Sequence, residues 1–393
     1  MIELAWRIAF TVGALLVYRF GTFVPLPGLD PMAAAALFHG RFHPPAIFAL
    51  GVLPYVWASF LVQLLTLVSR RFKALKHGGA KGRHAIDQMT RYLTLLLVAG
   101  QAYGVARGLE GLPGLVTEPS WLFTLSTMLT LTGGTMVLVW LSEQITLRGV
   151  GNGLVLMLLV PIVTALPGTL AGVLELYRQG GLSSGQINML VLFVVGLTVF
   201  IVLMERARRF IRIDYPVRRI GARTFAAQTM DLPLKLNGAG IIPVLIASWI
   251  MGMLAGFALD LAPSRTIIIV DGLRYGQPLH LMVYPLLLLG CGVLYTALVF
   301  DPTEMAESLK KHGGSIAAIE PGEATAAYMD GILSRIMLAG ACYLVIVVML
   351  WEIFASHFPA PLHFGAVSLL ILVCATLDLD AEVQAYMRRE RQA

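Results

Sequence analysis

Charge is what this sequence has least of, and its scarcity decides the solvent. Asp, Glu, Lys and Arg make up 13% of the 393 residues and hydrophobic residues 57%, with a mean hydropathy of +0.77. Soluble domains carry about a quarter charged residues, so a water-soluble globular fold is excluded and an integral membrane protein is expected. Cysteine is scarce too. Cys291, Cys342 and Cys374 all fall in apolar segments with no pair at metal-ligand spacing, which leaves neither a disulfide framework nor a metal site. No metal and no cofactor is expected. The histidines His39, His43, His77, His84, His280, His312, His357 and His363 lie in loops or at the edges of apolar runs, so no nucleophile and base meet at membrane depth. No catalytic residue follows, and the chain does not read as an enzyme. The N-terminal apolar run lacks a small-residue cleavage site and is expected to stay in the mature protein.

What is abundant is uninterrupted apolar sequence. Ten runs approach the length needed to cross hydrocarbon: 8–24, 52–68, 92–106, 121–141, 154–176, 187–204, 239–259, 279–300, 336–354 and 364–377. Each should be helical, because lipid leaves the backbone no other open-ended way to satisfy its hydrogen bonds. Arg70, Arg71, Lys73, Lys76, Lys81, Arg83 and Arg91 follow the second run, and Arg206, Arg208, Arg209, Arg212, Arg218, Arg219, Arg223 and Lys235 follow the sixth. The opposite side holds only Arg19, Arg41, Arg107, Arg178, Arg265 and Arg274. The bias places both long basic loops, and both termini, in the cytoplasm. No Asp, Glu, Lys, Arg or His falls in the interior of runs two to ten, which disfavours an ion- or proton-coupled transporter.

Six stretches carry a resemblance that spans nearly the whole chain: "YRFGTFVPLPGLD" (18–30), "IFALGVLPYVWASFLVQLLT" (47–66), "KGRHAIDQMTRYLTLLLVAGQ" (81–101), "GVGNG" (149–153), "LPLKLNGAGIIPVLIAS" (232–248) and "DPTEMAESLKKHGG" (301–314). In order and in position they resemble the SecY family, the channel subunits of the bacterial protein translocase. The resemblance implies an all-α membrane fold of ten transmembrane helices in two pseudo-symmetric halves, residues 1–180 and 181–393. An hourglass pore that also opens sideways to lipid would run between them. The implied function is passage of unfolded polypeptides across the bacterial inner membrane, with lateral release of transmembrane segments. A ten-helix small-solute transporter and a non-conducting paralogue are the alternatives, and the first would need a buried polar cluster, which the runs do not offer.

The resemblance also assigns residues. Val52, Val56, Leu158, Leu245 and Ile371 match the positions of an apolar pore ring, which resists ion leak and makes no sequence-specific bond. The second and seventh runs match the lateral gate, where Ser59, Gln63, Thr66 and Ser248 would supply weak interhelical hydrogen bonds of about 1 kcal/mol or less. Gly51 and Pro54 would break the chain before the second run.

The loops 205–236 and 301–330 match the surface that receives the ribosome or the motor ATPase SecA, with Arg206, Arg208, Arg209, Arg218, Arg219, Arg223, Lys310, Lys311 and Glu320 as docking residues. Arginine-rich loops also suit ribosomal RNA and anionic lipids. SecE-like and SecG-like small membrane subunits and signal-sequence-bearing polypeptides complete the implied partners. Two departures stand out. Glu320 occupies the place where the family usually carries an Arg before Pro-Gly, reversing the charge at the docking tip. The plug region, 30–47, is shorter than the family's, and its "PMAAAALF" helix pattern is ended by "HPP". "GVGNG" lacks the preceding strand of a nucleotide-binding turn and reads as a helix break. Lys235 and Asn237 read as anchors at the mouth of the seventh run, and Arg388, Arg389 and Arg391 as tail anchors.

Overall fold

A computed structural model describes residues 2–38, 45–215, 218–220, 223–225, 228–261, 271–316, 319–320, 322–358 and 364–392. The chain divides into two compact units, Met1–Pro167 with Ala375–Ala393, and Gly168–Cys374. The division falls inside a helix at Pro167, a residue with no N–H to give to the ladder.

The first unit holds α1 (Ile2–Gly21), α2 (Pro31–Phe38), α3 (Leu53–Val68), α4 (Arg70–His77), α5 (Gly79–Glu110), α6 (Trp121–Arg148), the beginning of α7 (Gly153–Arg178) and the end of α13 (Ala366–Gln392). α5 packs against α3 and α6, and α1 against α6. Asp30 caps α2, its carboxylate accepting from the N–H groups of Met32 and Ala33 at 2.7 and 3.1 Å. The loop 111–117 is tied back to the segment before α2 through Asp30 N–H to Leu115 O (2.9 Å) and Thr117 N–H to Gly28 O (3.1 Å). Leu26, Ala34, Ala102, Leu115, Phe123 and Leu131 close over these bonds as a buried apolar cluster. Within the 30–47 segment, α2 is thus packed into its own unit; residues 39–44 lie outside the described residues.

The second unit holds the rest of α7, α8 (Ser184–Arg206), the strands β1 (Arg208–Tyr215), β2 (Arg218–Ile220), β3 (Arg223–Phe225) and β4 (Gln228–Lys235), α9 (Ile242–Leu261), α10 (Pro278–Val299), α11 (Pro302–His312), β5 (Ser315–Ile316), α12 (Glu323–His357) and the beginning of α13. α10 packs on α9 and α12, and α12 also on α8 and α11. The segment 205–236, which joins α8 to α9, carries strands: β1 and β4 pair antiparallel from Arg208↔Lys235 to Tyr215↔Gln228, and β5 joins the other edge of β1. In "RRFIRIDY" Ile211 and Ile213 face inward while Arg212 faces out, the period of two that a half-buried strand requires. Ile211, Leu234, Ile316, Met329, Ile332 and Ile336 form a buried cluster that seats the sheet on α12.

A helix covers most of each of the ten apolar runs. Six helical stretches among the described residues are long and apolar enough to cross a membrane, and Leu53–Val68 and Ile242–Gly256 are shorter apolar helices. The outward faces are apolar as well, as with Leu192 on α8 at 75% exposed. Such a face is costly in water and neutral in lipid.

Candidate functional site

The entrance to α3 shows why a membrane-length helix begins with breakers. Gly51 takes φ +59°, a left-handed turn that costs glycine least, and Pro54 sits in the first turn of the helix, where its missing N–H is unneeded. The turn brings Phe48 over Tyr18, with ring centroids 5.9 Å apart and the planes at 16°. On α6, a side chain at Gly134 would collide with the carbonyl oxygen of Ile47. The breakers therefore deliver the chain at a close backbone approach.

The five residues assigned to the ring are all buried. Val52 is the N-cap of α3, Val56 lies one turn on, and Leu158 is on α7, all in the first unit; Leu245 on α9 and Ile371 on α13 belong to the second. The polar residues assigned to the gate bond within their own units. Gln63 Nε2 donates to Ser59 Oγ at 3.5 Å, one turn away, and the Thr66 hydroxyl donates to the Gln63 carbonyl at 2.6 Å. Ser248 Oγ donates to Val244 O at 2.8 Å and stands 2.7 Å from the hydroxyl of Tyr284 on α10. The bonds of Ser59, Gln63 and Thr66 stay within α3, whereas Ser248 also ties α9 to α10.

"GVGNG" is the turn between α6 and α7, held by side chains distant in sequence. The Val150 N–H donates to Thr11 Oγ1 on α1 (2.9 Å) and the Gly151 N–H to Glu382 Oε2 on α13 (2.7 Å). Asn152 Oδ1 then accepts from Leu154 N–H and opens α7.

Arg206 ends α8, and Arg208 and Arg209 begin β1, all exposed. Arg218, Arg219 and Arg223 lie on β2 and β3, paired as Arg218↔Phe225, Arg219↔Thr224 and Ile220↔Arg223. Lys310 and Lys311 are exposed near the end of α11, a helix capped by Asp301 at its start and by left-handed Gly313 at its close. Glu320 is exposed just before α12, and its backbone carbonyl accepts from the Thr325 hydroxyl at 2.8 Å. The structure thus carries Lys310, Lys311 and Glu320 on the polar segment that also adds β5 to the arginine-bearing sheet.

One buried ionisable pair, Glu352 with His280, lies within the ends of apolar runs that were expected to offer none, and a second buried polar cluster, around Glu205, lies just outside them. Glu205, at the end of α8, accepts from Asn237 Nδ2 (2.6 Å) and from the Tyr343 hydroxyl (3.2 Å), while the same Asn237 amide reaches Gly240 O at 3.2 Å. Asn237 is therefore an anchor, and its principal partner is a carboxylate. Glu352, on α12, is completely buried: His280 Nδ1 on α10 stands 2.5 Å from its Oε1, which also accepts the Gly276 N–H at 2.9 Å. Its second oxygen, Oε2, has no hydrogen-bond partner. Both carboxylates sit near the ends of apolar runs, so the interiors remain free of charge, but the clusters staple helix ends within the second unit. A carboxylate two residues before the close of an otherwise apolar run was the signal for Glu352.

Comparison with known proteins agrees with this architecture. The SecY family model matches residues 46–379. The protein translocase subunit SecY of Escherichia coli K12 is 39% identical over 407 residues, covering 98% of this chain and 92% of that protein. Among solved structures, a SecY channel studied for its plug domain superposes with a TM-score of 0.72 at 17% identity, covering 97% of this chain and 92% of that one. Sec61 in the canine ribosome–channel complex gives a TM-score of 0.64 at 16% identity, with coverage of 97% and 92%. The chain belongs to the SecY family.

Proposed function

We infer that this chain is the protein-conducting channel of a Sec-type translocase, a multi-pass membrane protein that moves polypeptides and transfers no chemical bond itself. The near-full-length kinship with SecY carries this reading. Its finer features rest on residue positions. We assign ten membrane crossings in two five-helix halves, 1–180 and 181–393, with both termini in the cytoplasm of a bacterium and the host membrane its inner one. Val52, Val56, Leu158, Leu245 and Ile371 form the ring, and their burial and uniformly aliphatic character support that role. α3 and α9 form the lateral gate; Ser59, Gln63 and Thr66 bond within α3 and Ser248 within α9 and to α10, so those bonds need not break on opening.

The arginine-bearing sheet and the 301–330 segment receive the cytoplasmic partner. Ribosome docking is supported by likeness to a channel solved on a ribosome, and SecA by kinship with bacterial SecY. Small SecE-like and SecG-like subunits accompany the channel, the SecE-like one as a clamp, and anionic lipids meet the arginines. The small-solute alternative would build on carboxylates at the middle of a helix, and among the described residues Glu205 and Glu352, the two that are buried with partners, both lie near helix ends.

Reconstitution tests function and docking together. The chain with its small subunits in vesicles should carry a signal-bearing preprotein into protease protection with SecA and ATP. An exposed carboxylate at Glu320, where a cation is expected, weakens that coupling. Glu320→Arg should raise SecA affinity and transport at low salt, with the gain shrinking at high salt. Absence of protected preprotein with every partner present would remove the channel reading; equal SecA binding by both forms at low salt would remove Glu320 from the docking surface.

A further inference from the structure

The segment joining α5 to α6 returns beside a cavity of about 540 Å³, lined by Tyr103, Arg107, Glu110, Trp121, Thr124 and Leu125 among others. It is a built charge pair. Arg107 Nη1 donates to Glu110 Oε2 at 2.8 Å, and the Thr124 hydroxyl on α6 donates to Glu110 Oε1 at 2.7 Å. The Thr124 hydroxyl foremost, and Arg107 with it, hold the Glu110 carboxyl below its ordinary value against the opposing effect of burial, so it is ionised at neutral pH.

Three features aim this cavity at a ligand. The Nε and Nη2 donors of the exposed Arg107 and the indole N–H of Trp121, 72% exposed, have no partner among the described residues. The neighbouring surface, Leu122, Leu125 and Leu129, is apolar and exposed, as a lipid-facing surface is. α5 is 32 residues long, so this end lies about 48 Å from its basic beginning. That length exceeds the hydrocarbon core, and Trp121 and Tyr103 are the aromatic residues that gather at a water–hydrocarbon boundary.

We propose that the Arg107–Glu110 cavity is a site for a zwitterionic glycerophospholipid whose headgroup ends in a primary ammonium, that is, a phosphatidylethanolamine. The phosphate takes the free guanidinium donors and the Trp121 indole N–H. The ammonium donates to the remaining lone pairs of the Glu110 carboxylate, and an acyl chain lies along Leu125 and Leu129. Charge decides the class. Arg107 and Glu110 sum to zero, which matches a zwitterion, whereas a net anion would face the Glu110 carboxylate unpaired. A choline headgroup has no N–H to give that carboxylate.

The test is native mass spectrometry of the full chain released from micelles holding equal amounts of dioleoyl phosphatidylethanolamine, phosphatidylcholine and phosphatidylglycerol. The parent should retain one phosphatidylethanolamine in preference to the other two. Arg107→Gln should reduce that retention about tenfold, the value of a lost charge-assisted hydrogen bond. Glu110→Gln leaves a net cation and should switch the preference to phosphatidylglycerol, a change of sign that general loosening of the fold would not produce. Trp121→Ala, at an exposed position, gives a variant that keeps the ion pair and should still lose affinity. Equal retention of the three lipids by the parent, or a Glu110→Gln chain that still prefers phosphatidylethanolamine, would overturn the proposal.

Discussion

Glu352→Ala should destabilise the second unit by about 3–5 kcal/mol, the usual consequence of breaking a buried ionisable pair from one side. The carboxylate is 0% exposed and serves two groups at once, the His280 imidazole at 2.5 Å and the Gly276 N–H at 2.9 Å. Alanine leaves the Gly276 N–H without its acceptor and the buried His280 imidazole without its facing carboxylate. Gly276 has φ +82° and lies in the turn that enters α10, so that turn loses its tie to α12. Glu352→Gln keeps an acceptor for Gly276 and should lose less. His280→Leu combined with Glu352→Leu should lie closer to the parent than Glu352→Ala does, because an apolar pair needs no mutual satisfaction. Thermal unfolding in detergent, with limited proteolysis across 271–277, reads all three. A Glu352→Ala midpoint equal to the parent's would mean that the pair contributes nothing.

The second large effect is expected in ion leak. Val56→Gly removes an aliphatic side chain from the proposed ring, and Leu245→Gly does so from the other unit. A narrow apolar constriction excludes ions because water wets it poorly; widening it by a side chain admits a water column. Each glycine also costs its helix about 1 kcal/mol relative to alanine, so Val56→Ile, which keeps the constriction filled, is the control. Vesicles carrying either glycine variant should leak ions several-fold faster than the parent, and the Val56→Ile vesicles should not. Background conductance in both glycine variants, with unfolding midpoints like the control's, would take Val56 and Leu245 out of the ring.

How far the sequence could be read varies with the range of the interaction. Helix positions were legible because apolar run length is local: α8 and α10 lie within a few residues of the runs 187–204 and 279–300. The breakers at the start of α3 were legible for the same reason, since Gly51 and Pro54 act on their own backbone. α5 extends well beyond the run 92–106 because its basic beginning is helical without being apolar. The β1–β4 hairpin was passed over, although "RRFIRIDY" alternates inward Ile211 and Ile213 with polar neighbours. What makes it a strand is the apolar cluster with Met329, Ile332 and Ile336, over a hundred residues away. The buried carboxylates were missed on the same ground. Nothing local marks Glu205 as a partner of Asn237 and Tyr343, or Glu352 as a partner of His280. Of the proposed ring, the motif match supplied the positions and the structure supplies their burial.

The central claim is that polypeptide passes through this chain at the ring, and the most direct measurement is a cross-link made there. In a chain with Cys291, Cys342 and Cys374 replaced by alanine, single cysteines at Val56 and at Ile371 would be tested against a preprotein arrested halfway and carrying one cysteine. Both positions should form a disulfide with the arrested preprotein, and neither should do so before transport begins or after it is complete. Protease-protected preprotein that cross-links to neither position, while cysteines on lipid-facing Leu192 react as readily, would contradict the account.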